Sequence, residues 1–121
     1  MKIRIARLDQ GQQELKVVEV EHEISVLQEI VDGNLDCVNI TPEIDLWCNG
    51  DHLNRDDLEW TALFVQRGRV FGGARGNIYF ASYDGEGTTT SISDEQIKEL
   101  KAKMNMAIMT NGDSLLAIHV D

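Results

Sequence analysis

Three groups of residues have the types and spacing to do chemistry. The first is Arg67, Arg69 and Arg75 around the run Gly72-Gly73-Ala74-Arg75-Gly76-Asn77. Successive glycines let backbone N–H groups curl into an anion-binding nest, and guanidinium forks match phosphate oxygens. Arg67, Arg69, Gly72, Gly73, Arg75, Gly76 and Asn77 therefore form the candidate site for a nucleotide phosphate. The competing reading of these glycines is a turn between strands. Neither a Gly-Lys-Ser/Thr sequence nor a strand–GxGxxG–helix setting accompanies them.

The second group is acidic. Glu19, Glu21 and Glu23 alternate, so on a strand they project from one side. Asp56, Asp57 and Glu59 crowd a polar stretch farther on. Together the six are the candidate surface for a basic partner, or for imitating a row of phosphates. The plain alternative is a solvated strand face that discourages edge-to-edge aggregation. The third group is Cys37, Cys48 and His52, donors of the kind zinc prefers. No CxxC pair and no fourth ligand accompany them, so no metal or other cofactor is expected.

Other patterns carry less. Asp45 to Asp51 resembles the start of a calcium loop, but Trp47 stands third and Asp56 twelfth, where an oxygen ligand and a glutamate are required. Ser91 and Ser93 lack a nucleophile elbow. His22, His52 and His119 lie far apart, and no catalytic residue is assigned. Trp47 and Trp60 read as core or interface aromatics.

Charge narrows the classes of function. Twenty-one acids face eleven Lys and Arg among 121 residues, a formal net charge of -10. A nucleic-acid backbone or an anionic membrane surface calls for the opposite sign. The first 60 residues hold 14 acids and 5 bases, net -9, and the remaining 61 hold 7 and 6, net -1. With 42% hydrophobic residues the chain is apolar enough to fold. It has no apolar run of the roughly 20 residues that span a bilayer and no signal-peptide pattern at its start. Two cysteines make no disulfide framework, so a reducing cytosol is the expected compartment.

The elements that must position these residues follow from periodicity. Lys2 to Leu8 alternates at period two, Gly11 marks a turn, and Leu15 to Glu21 returns, which predicts a hairpin over 2–21. Val26, Leu27, Ile30 and Val31 share one face of a short helix over about 25–32. Strands are predicted at Leu35–Ile40 and Ile44–Cys48 around Pro42, then at Trp60–Val65 and Asn77–Tyr83, joined through the glycine-rich stretch. Thr88–Ser91 is polar and β-prone, and Leu115–Val120 closes the chain as a strand. Ser93 with Gln96 forms a capping box, and Ile97, Leu100, Met104 and Ala107 or Ile108 continue at helical spacing, which predicts a second helix over about 93–109. Its methionines Met104, Met106 and Met109 are expected to pack on the domain, with an oligomer contact as the alternative. The expected architecture is one α+β domain over 1–121, a mainly antiparallel sheet with two helices.

Three stretches, taken in order, resemble a known family. Leu27-Gln-Glu-Ile-Val-Asp-Gly-Asn-Leu-Asp36 is similar to an LQ-x-x-V-G-G-x-I-E segment. Leu46-Trp-Cys-Asn49 through Leu53-Asn54-Arg55 is similar to a V-C-N-E-x-G-K-L…N-R segment. Val70-Phe-Gly-Gly-Ala through Ile78-Tyr-Phe, with Ser91-Ile-Ser-Asp-Glu-Gln96, is similar to V-I-x-G-T-x-F…S-L-T-D-E-Q. The order resembles small phage- and plasmid-borne proteins catalogued only as a domain of unknown function. The chain departs from it at Asp32, where glycine is frequent, in lacking prolines before Asn54-Arg55, and in a further C-terminal segment. The resemblance implies a mobile-element origin and a host cytosol, and no reaction.

The resulting expectation is a non-enzymatic accessory protein that binds and inhibits a host defence protein through its acidic surface. The alternative is an oligomeric sponge that sequesters a nucleotide immune signal in the Arg/Gly stretch 67–77. An unrecognised small enzyme using the carboxylates and histidine of 51–59 is the third. The expected partners are a host protein or a nucleotide signal, with a homo-oligomer as a further expectation.

Overall fold

In the computed structural model, which describes Met1–Asp121, the chain forms an α+β fold of two mainly antiparallel sheets and two helices. The order is β1 (Lys2–Leu8), β2 (Lys16–Glu21), α1 (Ile24–Val31), β3 (Leu35–Thr41), β4 (Ile44–Asn49), a 3-10 turn (His52–Asn54), β5 (Trp60–Gln66), β6 (Arg69–Arg75), β7 (Ile78–Tyr83), β8 (Thr89–Thr90), α2 (Asp94–Ala102), β9 (Met104–Ile108) and β10 (Ser114–His119). The first sheet runs β2-β1-β7-β4-β3 with β8 beside β7, and the second runs β6-β5-β10-β9. Every pairing is antiparallel except that of β5 with β10.

Alternation of side chains explains the layering. On β1, Ala6 and Leu8 meet Leu46, Phe80, Phe64, Leu116 and Ile118 in the space between the two sheets, which α2 closes with Ile97 and Leu100. The opposite face of the first sheet carries Ile3, Ile5, Tyr79 and Ala81, and α1 covers it with Leu27, Ile30 and Val31. Arg4 pairs with Asp94, tying β1 to the start of α2. No helix is long and apolar enough to cross a membrane.

The hairpin over 2–21, the first helix and the strands on either side of Pro42 stand where the sequence places them. Two expectations change. The second helix stops at Ala102, and residues 104–108 form β9 instead of continuing the helix to 109. Met104 and Ile108 fit the helical face of α2, yet with Met106 they also alternate at period two. Pairing with β10 over Ser114–Ile118 selects the extended form. The glycine-rich stretch is not a connection: Arg69–Arg75 is β6, and the turn before it is Arg67-Gly68, both in the left-handed region at φ 51° and 77°.

The capping box of α2 is complete, with the Gln96 N–H donating to Ser93 Oγ at 3.1 Å and the Ser93 N–H donating to Gln96 Oε1 at 3.0 Å. Ser93→Ala is expected to lower the unfolding free energy by about 1 kcal/mol, read as a shifted urea midpoint at unchanged slope; an unchanged midpoint would show that the cap contributes nothing.

Candidate functional site

The knot that holds the site together starts from Asn49, the last residue of β4 and a buried one. Its Nδ2 donates to the carbonyls of Val31 (3.2 Å) and Asp32 (2.8 Å) at the end of α1, and its Oδ1 accepts from the Asp51 N–H at 2.7 Å. Gly33 is required beside it, because a Cβ there would stand 2.5 Å from Asn49 Nδ2. Arg55 completes the knot by donating to the Asp32 carboxylate (2.9 Å) and carbonyl (3.2 Å) and to both oxygens of Asp57 at 2.7 Å. This fork holds the Asp57 carboxyl below the usual carboxylate range, and it holds the Arg55 guanidinium charged. Thus two stretches that carry the family resemblance, 27–36 and 46–55, meet at Gly33, Asn49 and Arg55.

The 3-10 turn that follows Asn49 presents His52 to the end of β6. The Arg75 N–H donates to His52 Nδ1 at 3.4 Å, and the His52 ring stands edge-on to Trp60 at 6.3 Å. Desolvation, then the Arg75 charge, lower the His52 pKa from 6.5. The Arg75 guanidinium lies 4.6 Å from the centre of the Trp60 ring and donates to the Arg55 carbonyl at 3.3 Å, while its Nε is buried without a partner. Gly73 makes this stack fit: a Cβ there would lie 2.7 Å from the Ala62 carbonyl oxygen and 3.0 Å from the Trp60 ring. Gly72, by contrast, has room, with Phe64 at 3.5 Å from its would-be Cβ.

Trp60 and Arg75 form part of the wall of an open groove of about 790 Å³ between the β1–β2 turn, the 56–59 loop and the β9–β10 turn. Asp56, Glu59 and Asp113 also line it, so three carboxylates face one guanidinium. Asn77 and Gly76 build the wall. Asn77 accepts from the Gln10 N–H at 2.9 Å, Gln10 accepts from the Glu59 N–H at 2.9 Å, and the left-handed Gly76 (φ 79°) donates to the Glu59 carbonyl at 2.8 Å.

The residues singled out from sequence thus disperse. Arg67 and Arg69 lie exposed at one end of β6 and Arg75 at the other, roughly 20 Å apart by the rise of a strand. One phosphate does not reach both ends. Gly72 and Gly73 are strand residues paired with Phe64 and Leu63, not a curled nest. Asp56 and Glu59 face the groove, whereas Asp57 is engaged by Arg55. Glu19 and Glu21 share one side of β2 opposite Arg4 and Lys2, and the N-terminal amine pairs with Glu21 at 3.3 Å, so cations stand across from that row. Glu23 belongs to the N-terminus of α1 instead.

No group of three His, Cys, Asp or Glu side chains converges as a metal site. Cys48 is buried in the core, and Cys37 lies exposed opposite Trp47 on β3. Burial first, then neighbouring aspartates, raise both thiols, Cys48 to about 11, so neither supplies a thiolate at neutral pH. Ser93 caps α2, and Ser91 Oγ accepts from the Arg4 N–H at 2.9 Å. Trp47 stacks on Tyr79 beside the α1 layer, away from the groove.

A family model described as a domain of unknown function (DUF3846) matches residues 1–105. No curated protein and no solved structure matches the chain.

Two outcomes follow from this geometry. Gly73→Ala is expected to displace Trp60, seen as a shift in tryptophan emission with a lower melting temperature, while Gly72→Ala leaves both near wild type; equal behaviour of the two variants would refute the close approach. His52 takes up its proton at a lower pH folded than unfolded, so it favours unfolding progressively as pH falls below 6.5. His52→Gln should flatten the fall of stability with acidification in that range, measured by denaturant titration at several pH values, and an unchanged slope would contradict the half-buried, Arg75-facing environment.

Proposed function

We propose that this chain, which belongs to the DUF3846 family, is a non-enzymatic binding protein that inhibits a host protein by holding a basic segment of it in the acidic groove. The groove supports this reading because Asp56, Glu59 and Asp113 line it against a single cation. That cation, Arg75, lies over the Trp60 ring and donates to the Arg55 carbonyl, so its charge is partly engaged within the wall. Exposed along the walls of an open groove, these carboxylates attract lysine and arginine side chains and steer their approach. Trp60, 38% exposed, adds an aromatic surface for the aliphatic stem of the arriving side chain. The net charge of -10 extends the attraction beyond contact distance. The charged row of β2 has cations across from it and contributes less.

The nucleotide-sequestering reading takes second place. A phosphate entering the groove meets three carboxylates, and Arg67 and Arg69 stand at the far end of β6. In the extended ladder of β6 successive N–H groups point to opposite sides and do not converge on one anion, unlike those of a nest.

The test is titration of the purified protein with a short Lys/Arg peptide and, separately, with ATP, read by tryptophan emission. We expect peptide binding that weakens with salt, is lost by at least about tenfold in Asp56→Asn/Glu59→Gln/Asp113→Asn, and is nearly kept in Glu19→Gln/Glu21→Gln. Equal peptide affinity in the groove variant would overturn the assignment, and ATP binding without peptide binding would install the nucleotide reading in its place.

A further inference from the structure

A β-sheet edge exposes a row of unpaired backbone groups, and folded proteins blunt such edges with charge, proline, bulges or shortness. Three of the four long edges here are blunted. β2 carries Lys16, Glu19 and Glu21; β3 carries Asp36 and a register shift at Asn39; β6 lies between Arg69 and Arg75 with a register shift at Phe71. The fourth, β9, reads Met-Asn-Met-Ala-Ile, with no charge, no proline and an unbroken register against β10.

The phase of its ladder shows which groups are free. The N–H of His119 donates to the Lys103 carbonyl and the N–H of Met109 to the Asp113 carbonyl. Asn105 and Ala107, opposite Ala117 and Leu115, fall in the same phase, so the odd-numbered positions bond to β10. Met104, Met106 and Ile108 therefore turn their N–H and C=O groups outward. Their side chains share a face with Leu116 and Ile118, yet Met106 is 41% and Ile108 80% exposed. Beside them Leu15, Met104 and Leu116 line a hollow of about 560 Å³.

From these features we propose that β9 is a homodimer interface, in which β9 of a second copy pairs antiparallel about Met106. The strand is its own complement in this register. Met106 faces Met106 of the second copy and Met104 faces Ile108, so every residue on that face meets an apolar one. Ile108 of the second copy then lies over the hollow lined by Leu15 and Leu116, which accounts for an isoleucine left in water in the single chain. The ends match in charge as well. Lys101 precedes the strand and Asp113 follows it, while Lys103 is already paired with Asp121, and antiparallel pairing sets Lys101 of one copy beside the anionic turn of the other. For two chains of net charge -10, an uncharged contact bounded by complementary ends is the place of least repulsion. The second sheet becomes an eight-stranded one with its apolar edge covered.

Sedimentation equilibrium of the full chain over a range of concentrations tests this. The wild type is expected to be a dimer. Met106→Pro deletes one outward N–H and leaves the β10 ladder intact, so it should give a folded monomer with wild-type circular dichroism. Ile108→Lys should weaken the dimer by at least about tenfold, whereas Phe71→Lys, on the opposite edge, should leave it unchanged. If Met106→Pro does not fold, Ile108→Lys decides. A wild-type monomer at the highest soluble concentration, or a dimer indifferent to both β9 variants, overturns the proposal.

Discussion

A single buried amide, Asn49, fixes how the layers meet. Its amide donates to two carbonyls at the end of α1, that of Val31 and that of Asp32, the second shared with Arg55, and its acceptor receives the backbone of the loop that follows β4. Without it, α1 has no fixed stop on the first sheet, and the segment carrying His52 and Arg55 has no fixed start. Arg55 then repeats the link from the other side by gripping Asp32. The groove lies downstream of this chain of constraints, since Arg75 and Trp60 take their positions from Arg55, His52 and Gly73. An asparagine suits the position because it supplies donors and an acceptor at once without bringing a charge into a buried place.

The sequence is most legible where one periodicity acts alone. β1, β2 and the strands around Pro42 alternate cleanly, and α1 shows a helical face closed by Asp32 and Gly33. Where two periodicities coincide, the reading fails. Met104 fits both the face of α2 and the alternation of β9, and the partner that decides between them, β10, begins ten residues later. The glycine pair is a second instance. Gly72 and Gly73 carry the composition of a turn, but Gly73 is small so that an indole can lie against the strand, a reason that exists only once β5 is alongside.

The candidate site was half visible. Asp56, Glu59, Arg75, Gly76 and Asn77 do border or build the groove, although Gly76 and Asn77 hold the wall in place. Asp113 and Trp60 were missed as members of an acidic site because they come from turns and strands distant in sequence. Asn49 gave no chemical signal of its own; its presence in a stretch of family resemblance was the only pointer. Counting charge by segment also leaves out what stands across from the β2 row. Opposite charges facing across a strand pair are invisible until the register of β1 with β2 is known.

The parallel pairing of β5 with β10 sets an order on assembly. β5 has its hairpin partner β6 within a few residues, but its other side waits for residues 114–119, about fifty positions farther along. During synthesis the first sheet has all its strands through β8 before the second can be finished, and the inner face of β5, with Ala62 and Phe64, is left beside an unfilled slot. Closing so long a loop carries an entropic cost that hairpins avoid, and it slows folding. A ribosome pausing before residue 114 would therefore hold a half-built sandwich, with its core open along one strand and dependent on whatever shields nascent chains in that cell.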